Sequence, residues 1–122
     1  MLVPKNLGNP YFDTANKGAQ EAAKELGVTV NYQGPASADA TQQIQLLNSL
    51  IAQKVAGLAI SADDADALVP TGKAAMAAGI PAIATGFGCE GCYHTADEYV
   101  TVDHIYRGAV VLEQFLKTYK PR

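Results

Sequence analysis

Two groups of residues in this chain have types and spacing that could do chemistry. The first lies near the start, where Lys5, Asn9, Tyr11 and Phe12 place a cation, a carboxamide and two aromatic rings close together in sequence. Ser61 adds a hydroxyl further along. Such a set suits a polyol. Lysine donates to hydroxyls, asparagine both donates and accepts, and the rings of Tyr11 and Phe12 can stack on the apolar face of a sugar. Each residue also has a plainer use: Lys5 as a surface charge, Asn9 and Ser61 as helix caps, Phe12 as core. The second group is "GFGCEGCYH", Gly86 to His94, with Cys89, Cys92 and His94 as three soft or borderline metal ligands. A zinc site wants four ligands, usually from separated pairs, so His104 or Asp97 would have to complete it.

Other motifs weigh less. Gly86 to Gly91 fits G-x-G-x-x-G, but the dinucleotide reading needs a helix to start inside the motif and face the pyrophosphate. Here Cys92, Tyr93 and His94 follow. Asp63, Asp64 and Asp66 resemble an acidic phosphoacceptor cluster, yet such a site also needs acids after the first strand, where this chain has Lys5 and Asn6. They read instead as a solvated helix start.

The elements that must hold these residues alternate between strand and helix. "MLVP" opens with a short apolar strand. A helix follows, with Asn9 as N-cap, Pro10 at the first helical position and Gly27 just past the end. Its Phe12, Ala15, Ala19, Ala22, Ala23 and Leu26 share one face. Val28 to Gln33 reads as a second strand. "GPASAD" is a turn with Ser37 as the next N-cap, and a helix over about 38–54 turns Ile44, Leu47, Leu50 and Ile51 inward. Ala56 to Ile60 is an apolar strand of the kind covered on both faces. A third helix begins in an Asp-rich stretch that suits the helix dipole, with Pro70 near its first turn and Gly79 at its end. "IPAIAT" is a fourth strand. Tyr99 to Val102 reads as a fifth, and Asp103 caps a last helix that turns Ile105, Ala109, Leu112, Leu116 and Tyr119 inward. Short connections between alternating elements imply parallel strands and right-handed crossovers. The expected fold is therefore a single α/β domain over 1–122, a three-layer sandwich with a flavodoxin-like sheet of order 2-1-3-4-5. Ligands of such sheets sit beyond the carboxyl ends of the strands, the edge that holds Lys5, Asn9, Ser61, Asp63 and the loop from Gly86 to His94.

The bulk numbers exclude several classes. With 122 residues, 48% hydrophobic, 17% charged and a net charge of −3, the chain suits one globular domain. It lacks the basic face of a nucleic-acid binder. No apolar run approaches the roughly 20 residues of a membrane span. The start, "MLVPKNLGNPYF", does not read as a signal peptide, which points to the cytoplasm for the chain as it stands. Two cysteines make no disulfide framework.

Residues 3 to about 85 resemble the N-terminal lobe of the type I periplasmic sugar-binding proteins, nearest to the rhamnose and autoinducer-binding kind. The resemblance rests on "VPKNLGNPYFDTANKGAQEAAKELGV", "NYQGPASADATQQIQLLNSLIAQKVAGLAIS" and "DALVPTGKAAMAAGIP". It implies one of two lobes that close on a sugar and hand it to a membrane transporter, with Lys5, Asn9, Tyr11, Phe12 and Ser61 as inherited ligand positions. The pattern departs after Thr85, where that family carries an acidic residue in a "DSD"-like run and this chain has Gly86. The tail "GFGCEGCYHTADEYVTVDHIYRGAVVLEQFLKTY" resembles the C-terminal end of zinc metallopeptidases of the aminoacylase and carboxypeptidase-G type. This implies His94 as a metal ligand, although "YVTVDHIYRGAVVLEQFL" also fits the sugar-binding family's own fifth strand and helix.

Taken together, the sequence reads as a chimera or single-lobe piece, 1–85 and 86–122, with no enzymatic activity and no cofactor. Its sugar affinity should be weaker than roughly millimolar, since one lobe buries about half of a ligand. The alternatives are a sugar-binding component of a transporter and a zinc metallopeptidase fragment. Tyr11, Phe87 and Tyr93 at one edge, with a long loop after Gly86, further imply a homodimer formed by packing or by exchange of the segment after about Gly88.

Overall fold

A computed structural model describes residues 1–84 of the chain. Their elements run β1 (Leu2–Val3), α1 (Pro10–Leu26), α2 (Ala40–Ala52), β2 (Leu58–Ile60), α3 (Ala65–Ala77) and β3 (Ala82–Ala84). The three strands form a parallel sheet in the order β1-β2-β3. Leu2 pairs with Ala59 on one side and forms a parallel bridge to Tyr32 on the other. The Tyr32 segment therefore lies along the free edge of β1. The sequence expectation of a full strand over Val28–Gln33 shrinks to this bridge, because β1 offers only two residues to pair with and Val28 stands 56% exposed. The expected fifth strand and last helix, and with them the end of the expected order 2-1-3-4-5, lie outside the described residues.

The helix ends follow from local chemistry. At the start of α1 the Asn9 side chain accepts the Tyr11 N–H at 3.0 Å and Pro10 occupies the first helical position. At its end Gly27 turns left-handed at φ 65° and donates to the Ala23 carbonyl, a backbone that glycine adopts without a Cβ clash. The cap of α2 is Asp39 rather than Ser37. Its carboxylate accepts the N–H groups of Thr41 and Gln42 at 2.8 and 3.1 Å, which a serine two residues earlier cannot reach. Asp64 caps α3 through the Ala67 N–H at 2.9 Å. With the helix starting at Ala65, Pro70 falls inside it rather than in the first turn. The missing N–H there would have reached the Asp66 carbonyl. Gly79, at φ 76°, ends the helix as its position in the sequence implies.

The core sits on one face of the sheet. Val3, Leu58 and Ile60 point toward Leu47 and Leu50 of α2, Leu68 and Ala75 of α3, and Ile80, all of them buried, and α2 and α3 pack against each other. Strand neighbours alternate faces, and the alternate residues Leu2, Ala59 and Ile83 are only half-buried. The apolar face of α1 behaves likewise. Ala23 alone is buried, and Leu26 is 74% exposed, so the inward face read from helical spacing is mostly not inward here.

Candidate functional site

The carboxyl ends of β1 and β2 are where the parallel ladder stops. Its last bond runs from the Ser61 N–H to the Val3 carbonyl at 2.9 Å. Beyond it the chain leaves β1 through Pro4 and Lys5 toward α1, and leaves β2 through Ser61 and Asp63 toward α3. The place between the two limbs is the crevice position that parallel sheets of this kind offer to ligands.

The first limb is pinned from below. Pro4 is buried, and an ideal Cβ on Gly34 would stand 2.7 Å from its ring. The Leu7 N–H donates to the Pro35 carbonyl at 2.9 Å. These contacts fix the backbone on either side of Lys5. Lys5 itself is half-buried, and its charge acts on the Asp63 carboxyl across the crevice. Asn9 spends its side-chain oxygen on the helix cap. Tyr11 is 61% exposed and meets the half-buried Phe12 edge to face, with ring centroids 5.1 Å apart. Both rings belong to the first turn of α1, the helix that follows the β1 limb.

The second limb departs from expectation at Ser61, which caps nothing; Asp64 is the cap of α3. Both backbone groups of Ser61 are engaged, the N–H by Val3 and the carbonyl by Gln43, and its half-buried side chain lies at the strand end. Asp63, two residues on, is the more unusual group. Its Oδ2 is buried without a hydrogen-bond partner. Burial pushes the carboxyl above the ordinary aspartate range, and the nearby Asp39 charge adds to this. The Lys5 charge and the Asp39 backbone N–H pull the other way without overcoming it.

Sequence reasoning missed one residue at the centre of this arrangement. Gln43 of α2 is 0% exposed and bonds to both limbs. A signal was present: Gln43 stands one helical turn before Leu47, on the face that carries Leu47 and Leu50. A polar residue in an apolar stripe asks for a partner.

The structure thus brings Lys5, Asn9, Tyr11, Phe12 and Ser61 to one end of the sheet, the end that the topology assigns to ligands, and adds Asp63. Of these, Lys5 and Asp63 interact electrostatically and Tyr11 meets Phe12. Among the described residues no group of three or more His, Cys, Asp or Glu is placed to hold a metal ion. The expected metal ligand His94, the pair Cys89 and Cys92, and the edge residues Phe87 and Tyr93 invoked for self-association all lie outside the described residues. No helix among the described residues is long and apolar enough to cross a membrane.

Comparison with known proteins agrees with this arrangement. A family model described as a periplasmic binding protein domain matches residues 1–122. Among solved structures, LsrB from Clostridium saccharobutylicum, in complex with AI-2, is 36% identical, with a TM-score of 0.64 over 66% of this chain and 25% of its own. A solute-binding protein of an ABC transporter from Actinobacillus succinogenes, with bound D-allose, is 30% identical, with a TM-score of 0.67 over 74% of this chain and 32% of its own. AraP, an arabinose-binding protein from Geobacillus stearothermophilus, is 38% identical, with a TM-score of 0.64 over 66% and 28%. The chain therefore spans between a quarter and a third of the length of these structures. The family match runs unbroken past Gly86. It lends no support to a join there, to a chimeric or engineered origin, or to a metallopeptidase tail carrying His94 as a zinc ligand. Members of this family bind solutes and are not enzymes. From the parallel sheet with its open carboxyl edge to the match along its whole length, the chain belongs to the periplasmic binding protein family.

Proposed function

We propose that the chain forms one wall of a sugar-binding cleft in the solute-binding component of an ABC transporter, working in the periplasm. What supports this reading is that Lys5, Asn9, Ser61 and Asp63 all follow the carboxyl ends of β1 and β2 in a parallel sheet, that Lys5 and Asp63 interact, and that Tyr11 and Phe12 meet edge to face in the first turn of α1. A monosaccharide needs donors and acceptors for its hydroxyls and an apolar surface for its ring, and this edge offers both. The known ligands of the similar structures, D-allose and arabinose among them, belong to the same chemical class.

One wall leaves about half of a bound sugar in water. A millimolar complex already requires about 4 kcal/mol of net binding, so the 122-residue chain by itself holds aldoses more weakly than about 1 mM. Saturation-transfer NMR with a panel of pentoses and hexoses at tens of millimolar tests the reading, with glycine and succinate as controls. The expected result is transfer to the sugars and none to the controls. Equal transfer to both, or to neither, refutes it.

A further inference from the structure

The carbonyls of Pro4 and Ser61 come immediately after the last ladder bond between β1 and β2, and no strand N–H is left for them. Pro4 has no N–H to offer in return. In place of a continued ladder, both carbonyls turn to one side chain. The Gln43 Nε2 donates to the Pro4 carbonyl at 3.0 Å and to the Ser61 carbonyl at 2.8 Å, while its Oε1 accepts the Asp63 N–H at 3.0 Å. Both donors and the acceptor of one carboxamide are used, and only this orientation of the amide satisfies all three partners. The side chain is 0% exposed and stands in the apolar stripe of α2 with Leu47 and Leu50. A carboxamide in that place serves neither the core nor solvent. It spans the split between the strands, one residue behind Lys5 on one limb and on both sides of Ala62 on the other.

We propose that Gln43 is a positioning residue for the crevice: its carboxamide fixes the spacing between the Lys5 limb and the Ser61–Asp63 limb, and through that spacing the affinity for a polyol held between them. The affinity half of this statement rests on the sugar-binding reading above; the spacing half does not. Gln43 touches no ligand. It acts by holding three backbone groups whose neighbours do. Lys5 and Asp39 are the charged groups that act on Asp63, so a change in the spacing of the limbs changes the electrostatic surroundings of its carboxyl as well.

The test compares Gln43→Met, which keeps length and removes all three bonds, with Leu47→Ala, a core change one helical turn away that makes none of these bonds. Both are made in the full 122-residue chain. NMR supplies two readouts: amide exchange of Asp63 relative to the slowest core amides, and the titration of the Asp63 carboxyl. The expected result is at least tenfold faster relative exchange at Asp63 and a displaced carboxyl titration in Gln43→Met, with neither in Leu47→Ala. Equal effects in the two variants, or none in Gln43→Met, overturn the proposal, because a merely structural glutamine would act only through global stability. If Gln43→Met does not fold, Gln43→Asn, still polar but one methylene too short to span the limbs, gives the same comparison. A second arm measures D-allose and D-arabinose by titration, with at least a tenfold loss of affinity expected in Gln43→Met alone. No sugar response in the unaltered chain overturns the sugar reading and the affinity half together, while the exchange and carboxyl readouts still decide the spacing.

Discussion

Substituting Gly34 by alanine tests how the crevice is supported. A Cβ at this position stands 2.7 and 2.9 Å from two ring carbons of Pro4 and 3.5 Å from a methyl of Leu7. Ordinary contact begins near 3.4 Å, so the ring must retreat by about 0.7 Å. A proline ring cannot swing aside as a flexible chain end does, and Pro4 is fully buried. The displacement therefore passes into the backbone at Pro4 and Lys5, next to the carbonyl that Gln43 holds. Overpacking of this kind costs about 1–3 kcal/mol. With a urea dependence of about 1–1.5 kcal/mol per molar for a small domain, the unfolding midpoint should fall by roughly 0.7–3 M. Gly18→Ala is the control. Gly18 lies inside α1, with nothing within 4 Å of the place its new methyl would take, and the change should stabilise by about 0.5–1 kcal/mol through helix propensity. Urea denaturation of both variants, with the backbone resonances of Lys5 and Asn6 followed in each, checks the reasoning. A Gly34→Ala protein as stable as the unaltered chain, with those resonances in place, refutes it.

Other expectations follow from the same geometry. Leu47→Ala removes a side chain that is 0% exposed and should cost about 3 kcal/mol or more, whereas Leu26→Ala, at a site 74% exposed, should change stability by less than about 0.5 kcal/mol; paired urea titrations decide both. Asn9→Ala removes the cap bond to Tyr11 and should cost about 1 kcal/mol, read from the same titrations. Because the Asp63 carboxyl is raised by burial, the folded protein binds its proton more tightly than the unfolded chain does. Its contribution to stability is therefore greatest at low pH and declines as pH rises from the ordinary aspartate value of about 4 through the raised one. Thermal melts from pH 3 to 7 should show that decline, relative to Asp63→Asn, which lacks it. Asp39, lowered by the backbone N–H groups of Gln42 and Thr41, works in the opposite sense, and its contribution is lost as pH falls through its depressed value.

Much of the frame was legible because single residues carry strong local rules. Asn9, Pro10 and Gly27 delimit α1 as their chemistry requires, and Leu47 and Leu50 lie inward as their spacing implies. The errors arose where two residues competed or where a partner decided the outcome. Ser37 and Asp39 are both good caps; the carboxylate, which takes two N–H groups at once, prevailed. Ser61 reads as a cap, but Asp64 stands where α3 begins. The stripe from Phe12 to Leu26 has helical spacing, yet spacing alone does not say that a face is covered. Topology placed Lys5, Asn9 and Ser61 after the carboxyl ends of β1 and β2, where the structure has them. Gln43 was not legible, because its role consists of contacts to backbone groups on segments 18 to 39 residues away, and neither was the Asp63 oxygen, which tertiary packing buries without a partner. Residue types do not announce such contacts.

The central claim, that the carboxyl edge of this sheet is a wall of a sugar cleft, is tested most directly by mapping backbone amide shifts of the labelled chain during titration with D-allose and D-arabinose. The account predicts saturable shifts, with midpoints above about 1 mM, concentrated at Lys5, Asn6, Asn9, Tyr11, Phe12 and Ser61 to Asp64, and silent positions at the opposite end of the sheet, such as Gly57 and Gly79. Shifts centred on the amino-terminal ends of the strands, or spread evenly over the chain without saturation, would contradict it.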